Sequence, residues 1–365
     1  MTVPTENVDF VVNKSNLGKC RFVSSGVTPL GEGEVRFLVE KYAFTANNVT
    51  YGVAGDMLKY WQFFPAEGDW GRIPVWAIGS VVESKHEDFG DGDRYYGYFP
   101  MSTTLIVKPD RVNSRGFFDG TLHRQESAPT YNQYTRVTPE QGFAPAYENH
   151  SMLYRPLFTT SFLIDDWLAE NEFFGAKTLV LSSASSKTTF GVAHQVALRG
   201  DDGCTIVGLT SPANVEFVES LGCYSKVVTY DDIKSIPNDE PVAYVDMAGS
   251  ANVNAAVHHH FADQLKLSSL VGLTHWQEGG QNADMPGATP QTFFAPDIIQ
   301  KRIKELGAQE FQATVGAALA KMYDFADQHI EIVIRSGQDG VESVYQEMLA
   351  GKTTPNQGFI VSMNG

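Results

Sequence analysis

Hydroxyl side chains around one lysine form the most chemically suggestive segment of the chain, Ser182-Ser-Ala-Ser-Ser-Lys-Thr-Thr189. The segment follows an apolar run of strand length (residues 177–182) and precedes a predicted helix at residues 188–199. The first N–H groups of a helix attract anions, serine hydroxyls can add donors, and a lysine supplies charge. We therefore predict that phosphate groups are bound here, by Ser183, Ser185, Ser186, Lys187 and Thr188.

Two other interpretations of the same loop stay open. Serines at the start of a helix can simply cap it, which is worth about 1 kcal/mol. The sequence Ser-Lys-Thr also resembles the end of a phosphate-binding loop of nucleotide hydrolases, but Ser186 replaces the expected glycine and no strong magnesium-site signal follows. The flanking strand and helix favour nucleotide binding over both.

The elements that must position this loop change in character near residue 151. Beyond it, apolar runs at residues 177–182, 204–210, 226–230, 242–247 and 267–274 alternate with helical segments such as 252–264. Buried strands alternating with helices predict a parallel, doubly wound sheet. A helix at 158–174 should lead into it, and mainly helical sequence follows from 297 to 328.

The two ends of the chain have β character. The first 110 residues contain short strands and Gly-rich turns, which predict a small barrel or sandwich. Residues 110–150 show no clear periodicity, and we interpret them as a long loop-like excursion. The tail contains strands at 330–335 and 358–362 around a helix at 340–349. If these strands return to the first domain, the chain is a bipartite enzyme with a cleft between its parts.

Composition narrows the class of protein. The chain has 365 residues, 27 Lys+Arg against 43 Asp+Glu and a formal net charge of −16, which argues against binding to nucleic acid or anionic membranes. It has only three cysteines, lacks a signal-peptide pattern, and has no apolar run of the roughly 20 residues that span a bilayer. We expect a cytoplasmic protein whose substrate is a small molecule.

Several segments, in order and spacing, resemble the medium-chain dehydrogenase/reductase superfamily in its zinc-free quinone-oxidoreductase and enoyl-reductase branch. They are residues 33–40, Thr45-Ala-Asn-Asn-Val-Thr-Tyr51, residues 74–83, Asp91-Gly-Asp-Arg-Tyr-Tyr-Gly97, Phe158-Thr-Thr-Ser161, Asp246-Met-Ala-Gly249, residues 340–351 and residues 358–361. The serine loop departs from the Gly/Ala-rich loop of the family. It resembles a little-characterised branch marked by Ser-Ser-Ala-Ser-Ser-Lys-Thr.

The resemblance implies an α/β fold with a GroES-like β-barrel domain (residues 1–155 and 310–365) and a doubly wound Rossmann domain (residues 156–309). It implies a homodimer and hydride transfer from a nicotinamide cofactor in the interdomain cleft. No acidic residue occurs at the end of the second strand, which favours NADPH over NADH. The cofactor-binding residues expected there and at neighbouring strand ends are Thr210, Ser211, Asn214, Gly249 and Thr274.

Tyr51 is the first candidate for the catalytic proton donor, because it lies in the segment that resembles the active-site loop of the family. A phenol is neutral at pH 7 and can donate a proton to a developing oxyanion. His275, just after the fifth strand, is the second candidate, and Asn47 could orient the substrate or cap a turn. His123 and Arg124 could reach an acidic substrate.

A metal centre is not expected. The cysteines are far apart, and the consecutive residues His258-His259-His260 cannot all face one ion from a helix. The predicted function is zinc-independent, NADPH-dependent reduction of a carbonyl, quinone or activated alkene. The alternative is a protein that holds NADPH without turnover, as a redox sensor or scaffold; ester hydrolysis is less attractive because no Gly-x-Ser-x-Gly occurs.

Overall fold

The computed structural model describes residues 2–200, 203–271 and 285–364. Their contacts form two units, one made of residues 1–153 with 330–365 and the other of residues 154–329. The sequence predicts a domain boundary at 309/310, whereas the long helix that spans Ala308–His329 belongs to the second unit by its contacts.

Elements are numbered in chain order. The strands are β1 (Glu6–Asn13), β2 (Asn16–Gly26), β3 (Val35–Phe44), β4 (Trp70–Gly71), β5 (Pro74–Ser84), β6 (Arg94–Pro100), β7 (Thr104–Val107), β8 (Pro109–Asn113), β9 (Gly116–Asp119), β10 (Gln133–Arg136), β11 (Thr178–Leu181), β12 (Thr205–Thr210), β13 (Lys226–Thr229), β14 (Val242–Asp246), β15 (Leu265–Val271), β16 (Gln291–Phe293), β17 (Glu331–Ser336) and β18 (Gln357–Ser362). The α-helices are α1 (Ala46–Val53), α2 (Pro129–Asn132), α3 (Glu148–Glu170), α4 (Lys187–Ala197), α5 (Val215–Ser220), α6 (Ala251–Phe261), α7 (Ala295–Leu306), α8 (Ala308–His329) and α9 (Gly337–Leu349).

The first unit is built on a mostly antiparallel sheet. Within the described residues its strands run in the order β17-β18-β3-β5-β6-β10-β9-β8, with β7 paired to β3, and a smaller sheet has the order β2-β1-β4. Strands β17 and β18 join this sheet through antiparallel pairing of β18 with β3, so the tail returns to the first unit as predicted. Aromatic residues such as Phe37, Phe99 and Tyr134 pack in the core with T-shaped and stacked ring contacts.

The second unit contains the predicted parallel sheet. Its described strands run in the order β13-β12-β11-β14-β15-β16, and all five pairings are parallel. This is the doubly wound order in which β11 is the first strand and the order reverses between β11 and β14. The predicted fold class, an antiparallel β domain with a Rossmann-like parallel-sheet domain, is confirmed.

Residues 110–150 differ from the predicted loop-like excursion. Strands β8, β9 and β10 lie there and extend the antiparallel sheet beyond β6. The sequence does not predict these strands because buried and exposed residues do not alternate simply along them. Asp119, the last residue of β9, is buried and forms an ion pair of 2.9 Å with Arg124, which lies between β9 and β10 and is 1% exposed. A charged pair inside a core hides the apolar period on which sequence interpretation depends.

Candidate functional site

The serine loop lies where β11 ends and α4 begins. Leu181, the last residue of β11, pairs with Gly208 of β12 on one side and with Val245 of β14 on the other. The loop therefore sits at the carboxyl edge of the parallel sheet, beside the point at which strand order reverses. In open α/β sheets this crevice is where ligands bind.

Ser182 joins the ends of β11 and β14. Its side chain is fully buried, and its Oγ donates a hydrogen bond of 2.6 Å to Oδ1 of Asp246. The same Oγ accepts hydrogen bonds from the N–H groups of Met247 (2.8 Å) and Ala248 (3.0 Å). One hydroxyl thus fixes the two turns that flank the reversal point.

Asp246 is the second member of this junction. Its buried carboxylate accepts hydrogen bonds from the N–H of Gly249 (3.1 Å) and the side-chain amide of Asn254 (2.9 Å). Asn254 in turn accepts a hydrogen bond of 2.8 Å from the hydroxyl of Tyr244. Within residues 246–249 the resemblance predicts a cofactor-binding role only for Gly249, whose φ of 64° lies in the left-handed region. Ser182 and Asp246 were missed as organising residues because they are far apart in sequence and their pairing is tertiary.

The loop backbone is also held from the side of β12. The N–H of Ser183 donates to the hydroxyl of Tyr230 (3.0 Å), and the N–H of Ala184 donates to the carbonyl of Leu209 (2.9 Å). The hydroxyl of Tyr224 donates to the carbonyl of Ala184 (2.8 Å). Ser183 has a φ of 53°, in the left-handed region that a loop residue other than glycine adopts at a cost. The loop is therefore fixed in a turn of the kind that glycine usually makes.

The start of α4 carries the other loop residues. Ser186 caps the helix by accepting a hydrogen bond of 3.2 Å from the N–H of Thr189, so the capping interpretation of this serine is correct in part. The carbonyl of Thr188 accepts a hydrogen bond of 2.8 Å from Ser161 of α3. The first turn of a helix directs N–H groups toward an anion. Lys187, the first residue of α4, is half-buried, and burial lowers the pKa of its ammonium group to about 8.

The residues predicted at the end of β12 have different surroundings. Thr210 is 1% exposed, so its side chain is packed in the interior. Ser211 precedes the short 3-10 turn Pro212–Asn214 and is half-buried. The side-chain amide of Asn214 donates a hydrogen bond of 3.1 Å to the hydroxyl of Ser185, which brings two predicted cofactor residues together. Thr274, with His275, lies outside the described residues.

Asn47 and Tyr51 lie one turn apart on α1, in the first unit. The side-chain amide of Asn47 donates a hydrogen bond of 2.8 Å to the hydroxyl of Tyr51. The helix is positioned by the neighbouring Asn48, whose side chain accepts from the N–H of Thr45 (2.8 Å) and donates to the carbonyl of Pro74 (2.9 Å). Both predicted catalytic residues of α1 therefore meet at one oxygen atom.

Other aromatic residues pack around the Tyr51 side chain. The Tyr51 ring lies 4.5 Å from that of Tyr60 and 5.8 Å from that of Tyr98, and the hydroxyls of Tyr60 and Tyr131 are 3.2 Å apart. Burial is the main reason that the pKa of Tyr51 is raised above its usual value of 10, and the hydrogen bond from Asn47 only partly offsets this effect. Tyr51 therefore keeps its proton at neutral pH.

The possible metal ligands of the chain include the three consecutive histidines of α6. Within the part of the chain that the structure describes, no three His, Cys, Asp or Glu side chains are grouped so that they could hold a metal ion. The consecutive histidines of α6 diverge: His258 contacts the hydroxyl of Ser268 at 2.9 Å, while His260 contacts the carbonyl of Ile236 at 2.8 Å.

None of the described helices is both long enough and apolar enough to span a membrane.

Comparison with solved structures gives three informative neighbours. CurA from Vibrio vulnificus, solved in complex with NADPH, has a TM-score of 0.62 at 12% identity, over 98% of this chain and 99% of its own. The yhdH oxidoreductase from Salmonella enterica, solved with NADP, has a TM-score of 0.52 at 13% identity, over 97% and 99%. TarJ from S. aureus, solved with NADPH, has a TM-score of 0.54 at 10% identity, over 98% of each chain. At these identities the likeness shows a shared fold.

Sequence comparison adds the family. No curated protein matches the sequence. The family described as "Protein of unknown function (DUF2855)" has a model that matches residues 42–354, and this chain is therefore a member of that family.

Proposed function

We propose that this chain is an NADPH-dependent oxidoreductase that reduces a carbonyl, quinone or activated alkene without a metal ion. The observation that carries the proposal is the position of the serine loop beside the reversal of strand order, where Ser182 ties it to Asp246. Neighbours of the same fold that were solved with NADPH or NADP support the choice of cofactor. As part of this proposal, we assign the chain to the zinc-free branch of the medium-chain dehydrogenases and reductases, which its sequence resembles.

The residues at this edge of the sheet fit a dinucleotide. Left-handed backbone at Ser183 and Gly249 turns the chain sharply at the two strand ends, as a loop close to a pyrophosphate must. The start of α4 offers N–H donors, and Lys187 and the hydroxyl of Ser185 supply charge and hydrogen bonding. Ser211 and Asn214 follow β12 with no acidic side chain between them, which suits the 2′-phosphate of NADP.

When bound, NADPH supplies a hydride, and the protein must position the substrate and supply a proton. Tyr51 is the proposed proton donor. Because the amide of Asn47 donates to the Tyr51 oxygen, the phenolic hydrogen stays available for a substrate oxygen. As that proton leaves, the same Asn47 N–H group stabilises the phenolate. His275 remains a second candidate for this role.

The first experiment is a titration of the protein with NADPH and, separately, NADH, followed by nucleotide fluorescence and thermal shift. We expect NADPH to bind more tightly, and Lys187→Ala or Ser211→Glu to weaken its binding at least tenfold. Absence of binding by either nucleotide at sub-millimolar concentration would refute the cofactor assignment.

The second experiment tests turnover. NADPH consumption is measured with quinones, enones, aldehydes and enoyl thioesters, and Tyr51→Phe is expected to lower kcat about 100-fold while NADPH affinity is unchanged. The matched control is Tyr42→Phe, since the Tyr42 hydroxyl is buried and has no hydrogen-bond partner among the described residues. Binding without turnover of any substrate would favour the alternative of a non-catalytic NADPH-binding protein.

A further inference from the structure

A second candidate ligand site lies wholly within the first unit. It is a cavity of about 240 Å³ whose charged lining includes Arg36, Arg72 and Arg124 and whose apolar lining includes Phe63 and Phe64. We call it the arginine cavity. Three guanidinium groups around one cavity are unexpected in a chain whose formal net charge is −16.

The hydrogen bonding of Arg36 is the main indication that the cavity binds a ligand. Its side chain is 2% exposed, its Nε donates to Glu83 at 2.9 Å, and its Nη2 donates to the carbonyl of Thr28. Its Nη1 makes no hydrogen bond with any residue that the structure describes. The Arg36 side chain is buried except where it lines the cavity, so the unused N–H groups of Nη1 can donate to a molecule that enters the cavity.

The two carboxylates that line the cavity are already neutralised. Asp9 receives hydrogen bonds from Arg72 (2.6 Å), from Asn7 (3.0 Å) and from the hydroxyl of Ser102. A carboxylate with these partners has little capacity left to repel or to hold a ligand.

Asp119 is paired in the same way. It forms an ion pair of 2.9 Å with Arg124 and also accepts from the N–H (3.0 Å) and hydroxyl (2.6 Å) of Thr121. Each arginine is thus paired with one carboxylate, but Glu83, the partner of Arg36, is not part of the cavity lining. The lining itself contains three arginines and two acids, and the unused N–H groups of Arg36 are available to an anion.

The apolar part of the cavity lining determines which kind of anion the cavity favours. Phe63, Phe64 and Leu105 line the cavity together with the charged groups. A guanidinium fork matches the two oxygens of a carboxylate, and aromatic side chains favour a carbon skeleton over water. We propose that the arginine cavity binds a small organic acid, with the carboxylate at Arg36 and the apolar part against Phe63 and Phe64. The proposal does not depend on nucleotide binding or on turnover.

Benzoate and its neutral analogue benzamide are the probes. Binding to the full-length protein is measured by isothermal titration calorimetry and by thermal shift at constant ionic strength. We expect benzoate to bind and to stabilise the protein, and benzamide to bind at least tenfold more weakly. Equal binding of the two probes would overturn the role of charge.

Two variants locate the site. Arg36→Gln removes the unused donors and is expected to weaken benzoate binding at least tenfold, whereas Arg111→Gln, which changes an arginine with a 67%-exposed side chain, should leave it unchanged. Gly26→Trp keeps every arginine and adds bulk to the lining. A Cβ at Gly26 would have no heavy atom within 4 Å, so this variant should fold even if Arg36→Gln does not. Benzoate affinity that survives in Gly26→Trp and equals that of its control Gly26→Ala would refute the site.

Discussion

Replacing Ser182 with alanine tests the tertiary junction on which the proposed cofactor site depends. The substitution removes a hydrogen bond from a buried hydroxyl to the carboxylate of Asp246 and leaves the N–H of Met247 without the acceptor that it has now. A hydrogen bond to a charged group is worth about 1.5–3 kcal/mol, and a buried unsatisfied donor costs about 1–3 kcal/mol. Asp246 keeps the N–H of Gly249 and the amide of Asn254, which limits the damage. We expect Ser182→Ala to lower the free energy of unfolding by about 3 kcal/mol.

Urea denaturation, followed by far-UV circular dichroism and by intrinsic fluorescence, measures this change. The matched control is Ser269→Ala on β15 of the same sheet. Ser269 is also fully buried, but its hydroxyl has no hydrogen-bond partner among the described residues, so its loss should cost less than about 0.5 kcal/mol. If the two variants lose the same stability, or if Ser182→Ala loses less than about 1 kcal/mol, the hydroxyl does not hold the two strand ends together.

Two further predictions concern pH. Burial alone would raise the pKa of Glu148, but hydrogen bonds from Arg94 and Lys41 outweigh burial and lower the pKa from 4.5 to about 2. This carboxylate therefore stabilises the fold above pH 4.5 and loses its contribution as the pH falls toward 2. Glu148→Gln should therefore be less stable at pH 7 and lose less stability between pH 4.5 and 2; an unchanged acid transition would contradict this. Because burial lowers the pKa of Lys187 to about 8, NADPH affinity should fall as the pH rises from 7 to 9, whereas Lys187→Arg, which stays charged, should show no such fall. Fluorescence titrations at constant ionic strength test this, and identical pH profiles for the two proteins would remove Lys187 from the site.

Local patterns were sufficient for five of the six described strands of the second unit. Continuous apolar runs located β11, β12 and β14, and the strand–serine loop–helix succession placed the loop at residues 182–186. Strand and helix formation depend on side chains within a few positions of one another, so the sequence carries that information directly. The tail strands β17 and β18 were recognised in the same way.

The sequence did not predict which side chains at the strand ends are buried. Thr210 and Ser211 are adjacent polar residues and received the same prediction, yet the first is packed in the interior and the second is half-buried. Which of two neighbouring side chains faces the interior depends on the twist and pairing of β12 with β11 and β13. That pairing is a property of the sheet, and the residue types at positions 210 and 211 do not reveal it.

The sequence by itself determined five of the six described strands of the second sheet, their parallel character and the segments that could carry chemistry: the serine loop and the segment with Asn47 and Tyr51. Tertiary structure alone decided that Ser182 bonds to Asp246, that β8–β10 extend the antiparallel sheet, and that Arg36, Arg72 and Arg124 line one cavity. The physical reason is the difference in sequence separation between the residues that make each kind of contact. Helical and strand periodicity are set within one or two turns of chain, whereas a buried ion pair or a junction between strand ends joins residues whose proximity exists only after the whole core has packed.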